Sequence, residues 1–349
     1  MDKNITIGLD VGNYDTKTQS TDTPSGFSVY NELPYGTSTY ILWNGKYYIP
    51  SEHRFSYVKD KTENENAFIL SLFGISAEIL NEAKRVNNIK ENALKKDEKK
   101  NSVIGIQGEI ATVNSVNLGI GLPPTHCSIL GKKTVEYYEE NFKDGISYIY
   151  NGYEFSYCLN FVKYYPQDFA AVLTYAPQDR EDSAISFPTY YAVDIGGWTV
   201  DVVTIINNRV TMEMCDSKPL GILAMYDKII RDVELSCGKR LDTIEVECIL
   251  QGRKTLLKDD VKKEVKRGAE EWYKKIMNEL RQFGVDLESS PVIFMGAGSL
   301  VFKDFIERDP DIVKYEFIDN PHANAKGYEI LVNKEIKKAW WYLPHSIRK

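Results

Sequence analysis

The spacing of apolar residues divides the chain into segments typical of strands and segments typical of helices. Short continuous apolar runs predict strands at residues 5–10 and 190–194, and each run ends on an aspartate. Apolar residues recur at helical spacing over residues 67–96 and, most regularly, over residues 258–283. The pattern therefore predicts a chain that contains both strands and amphipathic helices.

Turn-forming residues add further elements. The Asn-Gly pairs at 44–45 and 151–152 each lie between apolar segments and are typical of tight β-hairpins. Two more apolar runs predict strands at residues 103–106 and 116–122. A last helix, with lysines in its later turns, is predicted over residues 323–336.

One internal similarity organises these elements. The segments LDVGNYDTK at residues 9–17 and VDIGGWTVD at residues 193–201 share one scheme: an apolar strand, an aspartate, a glycine turn and a return strand. A strand–turn unit that is repeated at the start of each half of the chain implies two similar domains.

Composition and charge exclude several classes of protein. Of the 349 residues, 43% are hydrophobic and 27% are charged, which is typical of an ordinary globular protein. At about 100–200 residues per domain, this length is enough for two domains. The formal net charge of -7 argues against a protein that coats nucleic acid through its charge. No stretch approaches about 18 consecutive apolar residues, so no membrane span is predicted.

Cysteine and histidine patterns argue against a disulfide framework and against a structural metal cluster. The five cysteines are odd in number and never have Cys-x-x-Cys spacing, and the four histidines are scattered. The opening MDKNITIGLD lacks the basic and apolar regions of a secretory signal. We therefore expect reduced thiols and a cytoplasmic location.

The aspartate–glycine turns have the chemistry of a phosphate site. Backbone N–H groups at a glycine turn can donate to phosphate oxygens because no side chain obstructs their approach. Asp10 and Asp194 would repel phosphate directly, so their expected partner is a divalent cation held through water. Lys17, seven residues after Asp10, can neutralise phosphate oxygens. Either turn alone is more often an ordinary hairpin, but the pair favours a polyphosphate with Mg²⁺.

A third glycine turn, Gly296-Ala297-Gly298, follows a predicted strand at residues 291–295 and is expected to open a helix. Its glycines would let the backbone approach a flat or ribosyl ligand. Val301 stands where the dinucleotide-binding pattern GxGxxG has its third glycine, and a Walker A loop is absent. These departures argue against a dehydrogenase and against a P-loop enzyme.

Together the three turns resemble the nucleotide-binding motifs of the actin-like ATPase superfamily. The turn at Asp10 resembles the phosphate-1 motif, the turn at Asp194 the phosphate-2 motif, and the turn at Gly296 the adenosine motif. Among the branches, the chain looks most like the ParM-type plasmid-segregation actins, through the GLPP segment at 121–124 and the start of the last helix at 324–328. The resemblance assigns nucleotide contacts to Gly12, Asn13, Lys17, Gly196, Gly197, Thr199, Gly296, Ala297 and Gly298.

The resemblance also implies roles in hydrolysis. In this family a Gln or Glu after the strand that precedes the phosphate-2 motif orients the attacking water, and Gln167 fits this position. Its alternative role is that of an ordinary helix-start residue, and Gln178 is a less favoured candidate for the catalytic position. Asp10 and Asp194 would hold the water shell of Mg²⁺, and Asp194 is also a candidate to polarise the attacking water. Asp201 is expected to be structural.

The fold that the resemblance implies is α/β and two-lobed, a duplicated ribonuclease-H-like fold of the actin-like kind with four subdomains. The first lobe is expected to comprise residues 1–178, completed by 323–349, with an insertion at about 36–100. The second lobe is expected at residues 190–322, with an insertion at about 221–285.

The resemblance further implies a function. ATP, or GTP, would bind with Mg²⁺, and nucleotide-bound subunits would assemble head to tail into filaments that move plasmid copies apart. A DNA-bound adaptor protein would be the partner, with no direct contact to nucleic acid and none to a membrane. Two alternatives stay open: a small-molecule kinase of the same superfamily, which needs a general base where Gln167 stands, and a non-polymerising regulatory ATPase. The basic tail at residues 334–349, which contains Trp340 and Trp341, is expected to dock on the first domain; a membrane-surface or partner-binding role is the alternative.

Overall fold

The structure, a computed structural model, describes residues 3–56, 58–93, 102–175 and 181–342. The strands are β1 (Lys3–Val11), β2 (Asp15–Lys17), β3 (Asp22–Pro24), β4 (Phe27–Tyr30), β5 (Ile41–Trp43), β6 (Lys46–Pro50), β7 (Val113–Leu122), β8 (Ile146–Tyr150), β9 (Tyr153–Pro166), β10 (Thr189–Ile195), β11 (Val200–Ile206), β12 (Arg209–Val210), β13 (Asp216–Lys218), β14 (Val292–Met295) and β15 (Tyr315–Ile318).

The helices are α1 (Asn66–Ala93), α2 (Ser102–Ala111), α3 (Pro124–Asn141), α4 (Phe169–Val172), α5 (Ile222–Cys237), α6 (Thr243–Leu250), α7 (Asp259–Phe283), α8 (Ala297–Val301), α9 (Lys303–Ile306) and α10 (Ala323–Tyr342). Short 3₁₀ helices lie at Ala184–Ser186 and Met212–Met214.

The described residues form two compact units. The first comprises residues 3–122, 126–173 and 322–342, and the second comprises residues 123–125 and 174–321. The first unit contains a nine-stranded sheet in the order β3-β2-β1-β7-β9-β8-β5-β6-β4. The second contains the order β12-β11-β10-β14-β15, with β13 paired to β11. Each unit therefore has its own sheet.

Five strands of each sheet repeat one arrangement, which confirms the internal similarity predicted from the sequence. In β3-β2-β1-β7-β9 the first two pairings are antiparallel and the last two are parallel. The strands β12-β11-β10-β14-β15 have the same succession of pairings. The hairpin β1–β2 thus has the same place in its sheet as the hairpin β10–β11 has in the other.

Helices cover both faces of the first sheet at β1. Ile7 and Leu9 are fully buried in the core that includes α1, and Leu9 lies close to Gly74 of that helix. Gly8 points the opposite way, toward the backbone of α10 at Ala325. Since successive residues of a strand face opposite sides, β1 is fixed between two helices and its end is held in place.

The core of the second unit is built largely on α7. The buried positions of this helix recur on one face, as the sequence pattern predicts, and they pack against α5. Trp272 is the largest of them, and its indole Nε1–H donates to the carbonyl of Leu220 at 2.9 Å. This bond satisfies the one polar group of a buried side chain.

Most predicted elements are confirmed, and one is wrong. The strands at 5–10, 116–122 and 190–194 lie within β1, β7 and β10. The strand predicted at 103–106 is instead part of α2, because a short apolar run fits a buried helix as well as a strand. The apolar face of α2 packs on α1. Among the described residues, no helix is both long and apolar enough to cross a bilayer.

Candidate functional site

The two glycine hairpins have the same local geometry. The Gly12 N–H donates to the Asp15 carbonyl at 3.0 Å, and the Gly196 N–H donates to the Thr199 carbonyl at 2.9 Å. Each bond closes a two-residue loop, 13–14 in the first unit and 197–198 in the second, whose own amides take no part in it. Asn13 and Gly197, both predicted nucleotide contacts, are therefore the first residues of equivalent loops.

In the first unit, three of the predicted residues come together at the end of β1. Asp10 lies directly opposite Lys17 in the hairpin, so the two side chains are on one face of the sheet. Gln167 arrives from β9, and its Nε2 donates to Asp10 Oδ1 at 2.9 Å. Burial raises the pKa of Asp10, while Lys17, Lys61 and the bond from Gln167 act in the opposite direction.

The position of Gln167 is set by its backbone neighbours. Its N–H donates to the carbonyl of Leu122, the last residue of the adjacent strand β7, at 2.9 Å. The next residue, Asp168, has φ 64° and is buried at the start of α4, a backbone conformation that costs free energy for a residue with a side chain. The Asp168 N–H donates to Asn324 Oδ1 of α10 at 2.7 Å. The last helix therefore helps to hold the residue that contacts Asp10.

Side chains from elsewhere in the unit brace the first turn. A Cβ at Gly12 would lie 2.5 Å from the Asp15 carbonyl oxygen, so the turn has room only for glycine. Ser25 Oγ donates to the Gly12 carbonyl at 2.7 Å. Arg54 donates to the carbonyl of Tyr14 at 2.8 Å, lies over the Tyr14 ring at 3.8 Å and forms an ion pair with Asp15 at 3.2 Å. The first turn is therefore held by contacts within the protein itself.

Sequence reasoning missed one residue of this site, Lys61. Its Nζ donates to the carbonyl of Val11, next to Asp10, and its charge acts on Asp10. Burial lowers the pKa of Lys61 to about 8, and Asp10 acts against this lowering. Lys61 lies in a polar loop 50 residues after Val11 in the chain, and no spacing in the sequence connects the two positions.

In the second unit, Asp194 lies beside the predicted adenosine turn. Asp194 is the last but one residue of β10 and is in register with Met295 of β14, directly before Gly296. A Cβ at Gly296 would lie 2.1 Å from Asp194 Oδ1 and 2.6 Å from the Ile195 carbonyl oxygen. Gly298 is similarly close to Ile195. These glycines thus allow the β14–α8 turn, which includes Ala297, to lie against the end of β10.

The return strand of the second hairpin differs from that of the first. Asp201 stands opposite Asp194, in the place that Lys17 has opposite Asp10. Thr199 Oγ1 donates to Asp201 Oδ2 at 2.7 Å. Burial raises the pKa of Asp201, against the hydrogen bonds from Ser217 and Thr199. The first turn therefore has a cation where the second has a carboxylate.

The phosphate-2-like turn also begins α5. The N–H groups of Ile222 and Leu223 donate to the carbonyls of Gly196 and Gly197 at 3.1 and 3.0 Å. The first amides of α5, which have no partner within the helix, are thus satisfied by the turn. This pairing fixes the turn to the helical part of the second unit.

Asp10 and Asp194 are the candidate carboxylates for a metal ion. Within the described residues, no three His, Cys, Asp or Glu side chains are arranged to hold a metal ion directly. Mg²⁺ commonly binds through one or two carboxylates together with phosphate oxygens and water. Asp10 and Asp194, each at the end of a strand beside a glycine turn, fit that mode.

The structure brings the predicted residues together as one group in each unit. The group in the first unit is Asp10, Gly12, Asn13, Lys17 and Gln167, and the group in the second is Asp194, Gly196, Gly197, Thr199, Gly296, Ala297 and Gly298. Gln178, the less favoured catalytic candidate, lies outside the described residues, as do the last residues of the basic tail.

Comparisons with known proteins support the fold. Residues 192–308 match the family model of the C-terminal domain of the archaeal actin homologue MreB-like. No curated protein matches the chain significantly by sequence.

Solved structures match over nearly the whole chain. An apo psk41 ParM protein is 16% identical with a TM-score of 0.65, over 96% of this chain and 98% of its own. An archaeal actin homologue in complex with ADP, Ta0583, is 16% identical with a TM-score of 0.63, over 95% and 99%. A ParM from Clostridium botulinum, solved as a 15-stranded filament, is 19% identical with a TM-score of 0.63, over 95% and 100%. The actin-like α/β fold and the resemblance to ParM-type proteins are thereby confirmed at the level of the fold.

Proposed function

We propose that this chain, which has the actin-like fold, binds and hydrolyses ATP and assembles into filaments when ATP is bound. The observation that carries the proposal is the duplicated aspartate–glycine hairpin, together with the bond from Gln167 to Asp10 at 2.9 Å. Each hairpin offers backbone amides of the kind that bind phosphate oxygens.

Phosphate binding would depend on the turns and on Lys17. The amides of residues 13–14 and 197–198 lie outside the bonds that close the two loops, so they are the candidate donors to phosphate oxygens. Mg²⁺, when bound near Asp10 and Asp194, would neutralise part of the charge of the phosphates. The braced first turn needs little rearrangement to accept the ligand, which favours binding.

Gln167 would position the attacking water. An amide can donate and accept at once. With Nε2 bonded to Asp10, the carbonyl Oε1 is the atom that can accept a hydrogen bond from the water. Gln167 has no basic character, so it orients the water without removing a proton from it. Asp194 is the candidate to polarise the water.

Filament formation and its biological use are the finer parts of the proposal. Among the structures that share the fold, one is a ParM filament and another is Bacillus thuringiensis ParM with ATP. We infer that copies of this chain contact one another head to tail in the cytoplasm. Plasmid segregation through a DNA-bound adaptor agrees with the net charge of -7, which disfavours direct DNA contact.

Sedimentation and phosphate release test the proposal together. The purified chain is incubated with Mg²⁺ and ATP, with ADP, or without nucleotide, and is then pelleted. We expect the chain in the pellet with ATP only, and phosphate in solution. Phosphate transfer that requires an added small alcohol would indicate a kinase instead. Phosphate release without any pellet would indicate a non-polymerising ATPase. A pellet without phosphate release would contradict hydrolysis, and neither pellet nor release would contradict both halves of the proposal.

A further inference from the structure

Lys61 is a second lysine at the end of β1, in addition to Lys17. Its Nζ donates to the Val11 carbonyl, and Val11 is the residue between Asp10 and the glycine turn. Because Val11 is the last residue of β1, a group bonded to its carbonyl lies at the edge of the turn. Lys61 belongs to the loop before α1, so its ammonium reaches the turn from outside the hairpin.

The ammonium of Lys61 has no ion-pair partner within 4.0 Å in the described part of the chain. Asp10 acts on it through space, but Asp10 also faces Lys17 across the hairpin. At the end of β1 there are thus two cations for one carboxylate, since the Asp15 charge is paired with Arg54. The site carries an excess of positive charge that suits an anion.

The loop that carries Lys61 is anchored beside it. Asp60 Oδ1 accepts from the Thr62 N–H at 3.0 Å and from Thr62 Oγ1 at 2.6 Å. Asp60 Oδ2 accepts from Lys133 Nζ of α3 at 2.6 Å. Burial raises the pKa of Asp60, but the hydrogen bonds from Lys133 and Thr62 outweigh it, so the pKa is lowered. The residue before Lys61 is therefore an anchored anion, and the Lys61 backbone is held in place.

We propose that Lys61 is a ligand of the nucleotide phosphates and acts together with Lys17, an inference that rests on the proposed nucleotide binding. The phosphate chain supplies an anion for the Lys61 ammonium, which has no ion-pair partner among the described residues. Since each anionic oxygen adds to the attraction, Lys61 favours triphosphate over diphosphate, and it contributes nothing to the binding of the nucleoside. It is a binding residue that the turn motifs do not contain.

The competing explanation is purely structural. Lys61 could simply tie its loop to β1 through the Val11 carbonyl. In that case removing the Lys61 ammonium would destabilise the first unit and would weaken the binding of every ligand of the site to the same degree. The dependence of the effect on the number of phosphates separates the two explanations.

Binding of ATP, ADP and adenosine, measured by titration calorimetry with Mg²⁺, tests the proposal. Lys61→Met removes the charge and keeps most of the chain length, and Lys61→Arg keeps the charge. Lys59→Met is the matched control, because Lys59 is exposed, lies in the same loop and carries the same charge. We expect Lys61→Met to weaken the binding of ATP at least about tenfold and that of ADP less, and to leave the binding of adenosine unchanged. Lys61→Arg should retain most of the affinity, and Lys59→Met should bind as the unaltered chain does.

A second measurement needs no variant. The unaltered chain is acetylated at its lysines with or without ligand, and labelling of each lysine is followed by mass spectrometry. We expect ATP to slow the labelling of Lys61 and adenosine to leave it unchanged, with Lys59 labelled equally throughout.

Three results would overturn the inference. The first is an unchanged ATP affinity in Lys61→Met. The second is an equal loss of affinity for ATP and for adenosine in that variant. The third is a rate of Lys61 acetylation that ATP does not change. Calorimetry of the unaltered chain separates this failure from that of the proposed function: where the unaltered chain binds ATP, the proposed nucleotide binding stands. If the unaltered chain binds neither ATP nor ADP, the proposed function fails as well.

Discussion

Replacing Gly296 by alanine tests whether the adenosine-like turn is built around Asp194. Gly296 has φ 83° and ψ 162°, a backbone conformation that is essentially restricted to glycine. The new Cβ would lie 2.1 Å from Asp194 Oδ1 and 2.6 Å from the carbonyl oxygen of Ile195. The carboxylate can rotate away, but the Ile195 backbone belongs to β10 and is held by its sheet neighbours.

Two costs add up at this position. The backbone conformation costs about 1–3 kcal/mol for a residue with a side chain. The collision with a packed strand costs about 1–3 kcal/mol more. We therefore expect Gly296→Ala to lower the free energy of unfolding by about 4 kcal/mol, and to weaken ATP binding because Asp194 must move.

Gly284→Ala is the matched control, measured by urea unfolding followed by circular dichroism. Gly284 also has a positive φ, 99°, at the end of α7, but a Cβ there meets no atom within 4 Å. Gly284→Ala should lower the free energy of unfolding by the backbone cost alone, about 1–2 kcal/mol, and should leave the ATP affinity unchanged. Equal losses of stability in the two variants, or unchanged ATP affinity in Gly296→Ala, would refute the reasoning.

Two further predictions concern the first unit. Gln167→Ala removes the bond to Asp10, so phosphate release should fall about tenfold to a hundredfold while ATP affinity, measured by calorimetry, changes little; an unchanged rate would contradict the assigned role. Glu82 has its pKa lowered to about 2, chiefly by hydrogen bonds from Arg85, against a usual value of 4.5. Its carboxylate therefore stabilises the fold above about pH 4.5, and this contribution is lost as the pH falls toward 2. Urea unfolding should show that Glu82→Gln lowers the free energy of unfolding by about 1 kcal/mol at pH 7 and leaves it unchanged near pH 2. A decrease that does not depend on pH would contradict this assignment.

The hairpins could be predicted from the sequence because their signals are local. Asp10 and Asp194 each end an apolar run before a glycine turn, and both stand at equivalent strand positions in the structure. Gln167 could be selected because it follows the end of an apolar strand. Its bond to Asp10 spans 157 residues, and that contact needed the parallel sheet to be known.

The features of the fold and site that could not be predicted from the sequence depend on long-range packing. Lys61 has no local signal, since a lysine in a polar loop is ordinarily a solvated side chain. The run at 103–106 was predicted as a strand because a segment of four residues is too short to define a period. Its helical state follows from packing on α1, where Gly105 lies against Asn87. The positive φ of Asp168 equally has no local signal, and the Asn324 side chain that accepts from its N–H lies 156 residues away in the chain.

The most direct test of ATP-driven assembly records light scattering and phosphate release from one sample after ATP is added. The account predicts that scattering rises first and then decays as phosphate appears. In Gln167→Ala the rise should remain and the decay should be delayed in proportion to the slower release. Scattering that never exceeds the level seen with ADP, at concentrations where ATP is bound and hydrolysed, would contradict the account.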